Sequence, residues 1–288
     1  MSLPPVELRV GALRLALRPD LGGCIAGLWH GSTPVLRSTE PAELTGARLS
    51  GSYPLLPYSN RVGFRRFEWL GQAHTTAANF DDNPHSVHGM GWLRAWTVLS
   101  QTADAHQAEA VLHLAHQPDA HWPFAFEAWQ TFTLTGDTLR VALRFKNLAP
   151  TAQPVGLGWH PYFPQRDSSR LAIAVATRWD SDAVGLPTGT QPQAGGIHGP
   201  VSAFNLDNCF DGWQGPAVFG DDGLALRLTS SLDRLVVFTP QTKPYYCVEP
   251  VSHVSNAIQM ADPLAHGLRS VAPGDNTEAW MALQVTPV

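Results

Sequence analysis

The sequence predicts an all-β protein, folded as a single large antiparallel β-sandwich with few short helices. Three observations support this class. Apolar and polar residues alternate with a period of two in many short segments, which is typical of half-buried strands. Clusters of Gly, Pro, Asn and Asp separate these segments. The periodicity of amphipathic helices is nearly absent. Many short strands with turn signals between them favour a sandwich or a barrel.

The clearest strands form a pair. In Phe126–Leu134, apolar residues alternate with Glu and Thr, and from Thr138 to Lys146 they alternate with Thr, Arg and Lys. Gly136 and Asp137 between them supply a tight turn, so this pair is predicted to be an antiparallel hairpin. Helical structure is limited to short turns such as Pro41–Leu44. Seven other segments show strand patterns: Glu7–Val10, Leu13–Leu17, Trp96–Ser100, Leu171–Val175, Leu224–Leu228, Leu235–Phe238 and Trp280–Val285.

We expect residues 1–288 to form one domain. No linker-like tract divides the chain, no internal repeat is evident, and all-β domains often reach this length as one unit. The segment richest in Gly and Pro is Gly185–Pro200, which is expected to be a surface loop.

Composition excludes several classes of protein. The formal net charge of −5 provides no basic surface for nucleic acid or for an anionic membrane. The N-terminus lacks the pattern of a signal peptide, and no run of about 18 apolar residues predicts a membrane span. The cysteines, Cys24, Cys209 and Cys247, are widely spaced and form no CxxC motif. Reduced, buried thiols in a cytoplasmic protein are therefore expected.

Five polar positions in loops or at strand ends are candidate functional sites. Each has an ordinary structural explanation when taken singly; an Asp in such a place is often a cap or an Asx-turn residue. Glu249 is the hardest to explain in this way, because it follows an apolar run and precedes Pro250, where a buried carboxylate needs a partner. The five positions are Asn60-Arg61, His88, His160, Asp207 and Glu249.

Other chemistries are disfavoured by spacing. His85 and His88 would share a face only on a helix, and Pro84 and Gly89 interrupt any helix there. No HExxH motif, GxSxG nucleophile elbow or glycine-rich phosphate loop is present. These absences argue against a transition-metal site, a serine hydrolase and a nucleotide-binding protein.

Aromatic residues surround the histidine-bearing segments, as in GLGWHPYFP around His160. Flat rings beside charged hydrogen-bonding groups suit a sugar, whose C–H face packs on an aromatic ring. Taken singly, each ring is better explained as part of the core, whereas the set favours a ligand. The set consists of Trp92, Trp122, Trp159 and Phe163.

With these residues the chain resembles the aldose 1-epimerase (galactose mutarotase) family. The resemblance covers nearly the whole chain, and its pieces occur in the family's order. The HPYF string is fairly specific, whereas the NR and HG pairs are weak alone. The longer strings GWHPYF, LDNCFDGW and EPVSH are most similar to a bacterial branch of the family. The matching pieces are Asn60-Arg61, His88-Gly89, His160–Phe163, the segment around Asp207 and Glu249.

The resemblance implies a β-supersandwich that interconverts the α and β anomers of a free aldose without cofactor or metal. It places the base on Glu249 and the acid on His160, with Asn60, Arg61, His88 and Asp207 at substrate-binding positions. Reference pKa values of about 4.3 and about 6.5 predict an ionised Glu and a partly protonated His near neutrality. Such a pair can remove a proton from the C1 hydroxyl and deliver one to the ring oxygen.

Two alternatives stay open from the sequence. A relative acting on hexose 6-phosphates would need extra cations, which Arg65 and Arg66 could supply. A non-catalytic carbohydrate-binding protein would not need both members of the acid–base pair. Pro164 and Met90 lie beside the candidate site residues and differ from the residues common there in the family. The sugar preference is therefore expected to differ from that of the galactose-type enzymes. We expect a monomer or a weak homodimer.

Overall fold

The alternating segments form antiparallel strands in two large sheets. The structure, a computed structural model, describes residues 4–288. The predicted strand Phe126–Leu134 is present and pairs in register with Thr138–Asn147, joined by the predicted turn. Its buried and half-buried residues alternate without interruption, because one face of the sheet covers the core and the other faces solvent.

The first large sheet has nine strands. In spatial order they are Thr97–Ala103, Ala108–His116, Phe126–Leu134, Thr138–Asn147, Asn276–Pro287, Leu224–Ser230, Ala217–Gly220, Arg170–Ile173 and Ile197–Pro200.

The second large sheet has eight strands and is called here the site sheet. Its spatial order is Pro187–Pro192, Thr177–Ser181, Asp207–Asp211, Arg234–Phe238, Tyr245–Val251, Gly158–Trp159 and Pro54–Leu55, with Tyr162–Pro164 also paired to Tyr245–Val251.

Smaller sheets complete the fold. A four-stranded sheet contains Val6–Val10, Leu13–Arg18, Cys24–His30 and Thr33–Pro34; two-stranded sheets pair Gln153–Val155 with Arg269–Val271, Arg61–Val62 with Ser86–Val87, and Arg66–Trp69 with Gln72–Thr75. Within residues 4–288 the helices are 3₁₀ turns of three residues: Ala47–Leu49, Gly63–Arg65, Gly91–Leu93, Val201–Ala203 and Ala257–Gln259. None of the helices in this range is long and apolar enough to cross a membrane.

The two large sheets pack against each other and share one buried core. Phe132 and Leu143 of the nine-stranded sheet belong to the same apolar cluster as Leu235 and Val248 of the site sheet. Burying such side chains stabilises the fold by about 1.5–3 kcal/mol each. The all-β sandwich predicted from the sequence is confirmed.

The prediction for Gly185–Pro200 was wrong. This segment contains two strands, Pro187–Pro192 and Ile197–Pro200, rather than one loop. Each strand lies at the edge of a large sheet, where one row of backbone groups has no neighbouring strand. Gly and Pro are tolerated at such edges, so a composition typical of loops is compatible with strands here.

Candidate active site

The site lies on the outer face of the site sheet, away from the main core. In the strand Tyr245–Val251, Tyr246 and Val248 point into the core between the large sheets. Because side chains alternate along a strand, Cys247 and Glu249 point to the other face. Glu249 is 2% exposed and faces a cavity of about 260 Å³.

All six residues predicted for the site line this one cavity. They come from distant parts of the chain and are brought together by the site sheet and by the loops packed on its outer face. They are Asn60, Arg61, His88, His160, Asp207 and Glu249. The structure therefore brings these six residues together, and their individual roles are taken up as proposals below.

His160 and Glu249 form the buried centre of the cavity. His160 lies between the short strands Gly158–Trp159 and Tyr162–Pro164, both of which pair with the strand that carries Glu249. Its backbone N–H donates to the Tyr53 carbonyl at 3.1 Å, which fixes the chain there. The imidazole Nε2 lies 3.5 Å from Glu249 Oε1, and their side chains are only 9% and 3% exposed. This distance is at the long limit for a hydrogen bond, and it places two titratable groups beside each other in the cavity.

Burial shifts both pKa values away from the charged forms. It raises the pKa of Glu249 well above its usual range, with the charge of Asp207 acting in the same direction and that of Arg61 opposing it. Burial also lowers the pKa of His160 well below its usual range. Reference pKa values predict a carboxylate beside an imidazolium, but low solvation in this cavity favours a carboxylic acid beside a neutral imidazole.

Asn60 and His88 hold each other by their backbones. The Asn60 N–H donates to His88 Nδ1 at 3.1 Å, and the His88 N–H donates to the Asn60 carbonyl at 2.7 Å. Both residues have positive φ, 55° and 64°, an uncommon conformation that clusters at functional sites. Because Nδ1 accepts a hydrogen bond, the proton of neutral His88 is on Nε2. Burial lowers the pKa of His88 to about 3, so the ring is a neutral donor.

Arg61 is held at the side of the cavity. Its Nη1 donates to Asn60 Oδ1 at 2.8 Å, and its Nη2 lies 3.8 Å from Asp207 Oδ2. Ser255 donates to the same Asn60 oxygen at 2.9 Å. Gly185 packs on the guanidinium, where an added Cβ would lie 2.6 Å from Arg61 Cζ. Asn60 therefore orients the Arg61 guanidinium. Asp207, with 55% of its side chain exposed, lies at the cavity mouth.

The predicted aromatic residues belong to the core rather than to the cavity. Trp122 packs between Tyr58 and Phe67 in the main core, and Trp159 and Phe163 are each 1% exposed there. Strand alternation explains Trp159, which precedes His160 and points to the opposite face. Trp92 is buried in a smaller cluster beside Tyr53.

Other side chains line the cavity, and sequence reasoning missed them. Tyr162 was within the HPYF string and is two residues from His160, a spacing that places both on one face of an extended segment. The others lack a local signal, because their place depends on strand pairing and on loop packing. Including Tyr162, the lining residues that were missed are Arg48, Phe80, Asn83, Val87, Tyr162, Val236, Phe238 and Tyr245.

A buried histidine behind the cavity also escaped prediction. His253 Nε2 accepts the N–H of Ser59 at 3.0 Å, and its Nδ1 donates to the Val254 carbonyl at 2.7 Å. It thereby holds the segment that leads into Asn60 and Arg61. Burial lowers the pKa of His253 to about 4.

Potential metal donors have other partners. His85 Nδ1 accepts the Phe64 N–H at 2.8 Å, and His88 Nδ1 accepts that of Asn60, so the two rings serve separate loops. Donor atoms of His160, Cys247 and Glu249 lie within 4.8 Å of one another. However, burial raises the pKa of the Cys247 thiol well above its usual range, which favours the protonated, non-ligating form. We therefore assign no metal to this group.

Comparison with known sequences assigns the family. The pattern of the family described as Aldose 1-epimerase matches residues 5–284. The chain belongs to the aldose 1-epimerase family. The Escherichia coli (strain K12) protein YphB, itself described as uncharacterized, is 30% identical over 292 residues, with 96% of each chain covered.

Solved structures agree with this assignment at the level of the fold. A galactose mutarotase-like protein from Clostridium acetobutylicum matches with a TM-score of 0.85 and 19% identity, covering 100% of this chain and 99% of that one. The Slr1438 protein from Synechocystis sp. PCC 6803 matches with a TM-score of 0.81 and 26% identity, covering 99% and 96% of the two chains. The supersandwich architecture of the aldose 1-epimerases is thus present here.

Proposed function

We propose that this aldose 1-epimerase family member interconverts the α and β anomers of a free aldose. The observation that carries the proposal is the buried pair of Glu249 and His160, with 3.5 Å between Oε1 and Nε2, at the centre of a polar cavity. Ring opening needs one group that removes a proton and one that delivers a proton, at two atoms joined through C1.

In the proposed reaction, the Glu249 carboxylate removes the proton from the C1 hydroxyl of the sugar. The bond between C1 and the ring oxygen breaks, C1 becomes an aldehyde carbon, and the ring oxygen takes the proton from His160 Nε2. Rotation about the C1–C2 bond presents the other face of the aldehyde. The same transfers in reverse close the ring, and both protons return to their starting groups.

Ring opening starts from the charged pair, which burial makes the minor of two forms that hold the same single proton; once formed, this pair transfers its protons more readily. The transfers convert a carboxylate and an imidazolium into a carboxylic acid and a neutral imidazole. The raised pKa of Glu249 makes its carboxylate a stronger base, and the lowered pKa of His160 makes its imidazolium a stronger acid. General acid–base catalysis by a positioned group is typically worth about 10²–10⁴-fold, a useful gain for a reaction that also proceeds unaided in water.

The neighbouring polar groups hold the sugar and stabilise charge. We assign hydroxyl contacts to the Nε2–H of His88 and to the guanidinium of Arg61, which can also stabilise negative charge that develops on a sugar oxygen. Asn60 orients Arg61, and Asp207 accepts hydrogen bonds at the mouth. Phe238 and Tyr245 supply apolar walls for the C–H faces of the sugar.

The arrangement of cations favours a free aldose over a sugar phosphate. Arg65 and Arg66, which could have held a phosphate, are exposed and do not line the cavity. The two arginines that do line it are near carboxylates: Arg48 lies 2.6 Å from Asp81, and Arg61 lies 3.8 Å from Asp207. A phosphate would have to compete with these partners.

Polarimetry tests the proposal. The protein is expected to accelerate the equilibration of freshly dissolved α-glucose or α-galactose above the spontaneous rate, and to act less well on glucose 6-phosphate. Glu249→Gln should remove nearly all the acceleration while calorimetric sugar binding stays measurable. Tight binding by the wild type without any acceleration would instead identify a carbohydrate-binding protein, and full activity of Glu249→Gln would disprove the assignment of the base.

A further inference from the structure

The His160 imidazole belongs to a stack of side chains that continues behind the cavity. Its ring is stacked on Tyr162, with centroids 4.4 Å apart and planes inclined by 17°. The guanidinium carbon of Arg37 lies 3.7 Å from the centroid of the same Tyr162 ring. Since two groups cannot lie over one face of a ring at contact distance, Arg37 and His160 occupy opposite faces of Tyr162. Tyr53 packs on His160 at 4.9 Å and so limits the stack at the other end.

Arg37 is fixed in this place by uncharged partners. Its Nε donates to the Ser50 carbonyl at 2.9 Å, and its Nη2 donates to the Arg48 and Ser50 carbonyls at 2.6 Å each. Its backbone N–H donates to the Tyr162 carbonyl at 2.7 Å. Within residues 4–288, no carboxylate oxygen lies within 4.0 Å of the Arg37 guanidinium nitrogens. The positive charge is therefore directed at the aromatic stack without a neutralising partner.

A cation held over an aromatic face is attracted to the ring, so a fixed cation holds the ring in place. The same cation disfavours a second positive charge nearby. Several groups face His160 from the elements packed around it: Glu249 and Cys247 from the strand beneath it, His88 across the cavity, Tyr53 and Tyr162 on its faces, and Arg37 behind Tyr162.

We propose that Arg37 is a positioning residue, which clamps Tyr162 against His160 and places an unpaired positive charge behind the imidazole. The clamp keeps Nε2 of His160 directed at Glu249, and the charge makes the imidazolium a stronger proton donor. This inference rests on the role proposed above for His160. Burial is the main cause of the lowered pKa of His160, and His88 and then the charge of Arg37 act in the same direction.

The test combines two variants of Arg37 with a matched control. Arg37→Met keeps an apolar stem and removes the charge, whereas Arg37→Lys keeps the charge. Arg144→Met removes a comparable contact far from the cavity, where the Arg144 guanidinium lies 4.0 Å from the Trp129 centroid. The proton affinity of His160 is read from the NMR titration of its ring in protein labelled with ¹³C-histidine, assigned with a His160→Gln sample.

We expect Arg37→Met to move the titration of His160 to higher pH, and Arg37→Lys and Arg144→Met to leave it close to that of the wild type. In mutarotation, loss of the clamp should lower kcat for Arg37→Met with little change in KM, although the higher proton affinity of His160 also raises its imidazolium fraction. Arg37→Lys should restore much of kcat. An unchanged His160 titration in Arg37→Met, or an equal change in Arg144→Met, would overturn the proposal.

A second variant and the separate NMR readout cover two ways in which the first experiment could fail. If Arg37→Met does not fold, as judged by circular dichroism, Arg37→Gln replaces it, because its amide can still donate to the Ser50 carbonyl. If the wild type shows no mutarotase activity, the proposed function fails, while the NMR titration still decides whether Arg37 governs His160.

Discussion

The buried, neutral imidazole of His253 is predicted to make the stability of the folded protein depend on pH. Its ring is 2% exposed and accepts the Ser59 N–H that precedes Asn60. Burial lowers its pKa to about 4 in the folded protein, against about 6.5 in the unfolded chain. As the pH falls below about 6.5, the unfolded chain takes up a proton that the folded protein resists, so stability is lost. The contribution of neutral His253 is fully present above that pH.

The size of this effect follows from the two pKa values. Between about pH 7.5 and about pH 5, the titration of His253 should cost the wild type about 2 kcal/mol of unfolding free energy. The perturbation is His253→Gln, whose amide can accept the Ser59 N–H but does not titrate. Urea unfolding at the two pH values, with an unchanged slope against denaturant, gives the free energies.

The comparison isolates His253 from the other buried histidines. His88 also has a lowered pKa and contributes to acid sensitivity in both proteins, so only the difference between wild type and His253→Gln is used. The unfolding free energy of the wild type minus that of His253→Gln should decrease by about 2 kcal/mol between the higher and the lower pH. His106→Gln, at an exposed position, should behave as the wild type does. If His253→Gln loses as much stability as the wild type over this interval, the reasoning is refuted.

Three other predictions concern activity. Gly185→Ala should lower kcat/KM about tenfold, because a Cβ 2.6 Å from Arg61 Cζ displaces the guanidinium. Gly195→Ala, at a similar positive φ (80° against 84°) but with open space around its Cβ, should not, and equal effects would contradict this. The profile of kcat/KM against pH should stay flat through about pH 6.5. The lowered pKa of His160 sets the fall in activity at acid pH, and the raised pKa of Glu249 sets the fall at basic pH. A basic limb near about pH 6.5 would contradict these shifted pKa values. Asp207→Asn should move the basic limb to lower pH, because the Asp207 charge raises the pKa of Glu249; a shift to higher pH would exclude this role.

The fold was largely predictable because alternation reports burial directly. Segments such as Phe126–Leu134 carry their pattern in full, and the structure reproduces it residue by residue. The edge strand Pro187–Pro192 escaped prediction because an edge strand need satisfy neither the pattern of a buried face nor a complete ladder. Local composition there reflects tolerance rather than turn formation.

The site was predictable where residues form recognisable strings. His160 and Glu249 were proposed in this way, and the structure places both in one cavity. Arg37 and His253 were not, because their importance comes from contacts with Tyr162 and Ser59 that only the folded chain creates. The charge states of the acid–base pair also depend on burial, which reference pKa values cannot supply.

The most direct test of the acid–base pair compares two Glu–His pairs in the same protein. His113 Nε2 and Glu127 Oε1 lie 3.2 Å apart on the nine-stranded sheet, partly exposed and outside the cavity. The enzymatic rate of α-glucose equilibration, after subtraction of the spontaneous rate, should be lower than that of the wild type by about 10²–10⁴-fold in Glu249→Gln. It should remain at the wild-type value in Glu127→Gln. Wild-type acceleration in Glu249→Gln, or an equal loss in both variants, would contradict the assignment of Glu249 as the base.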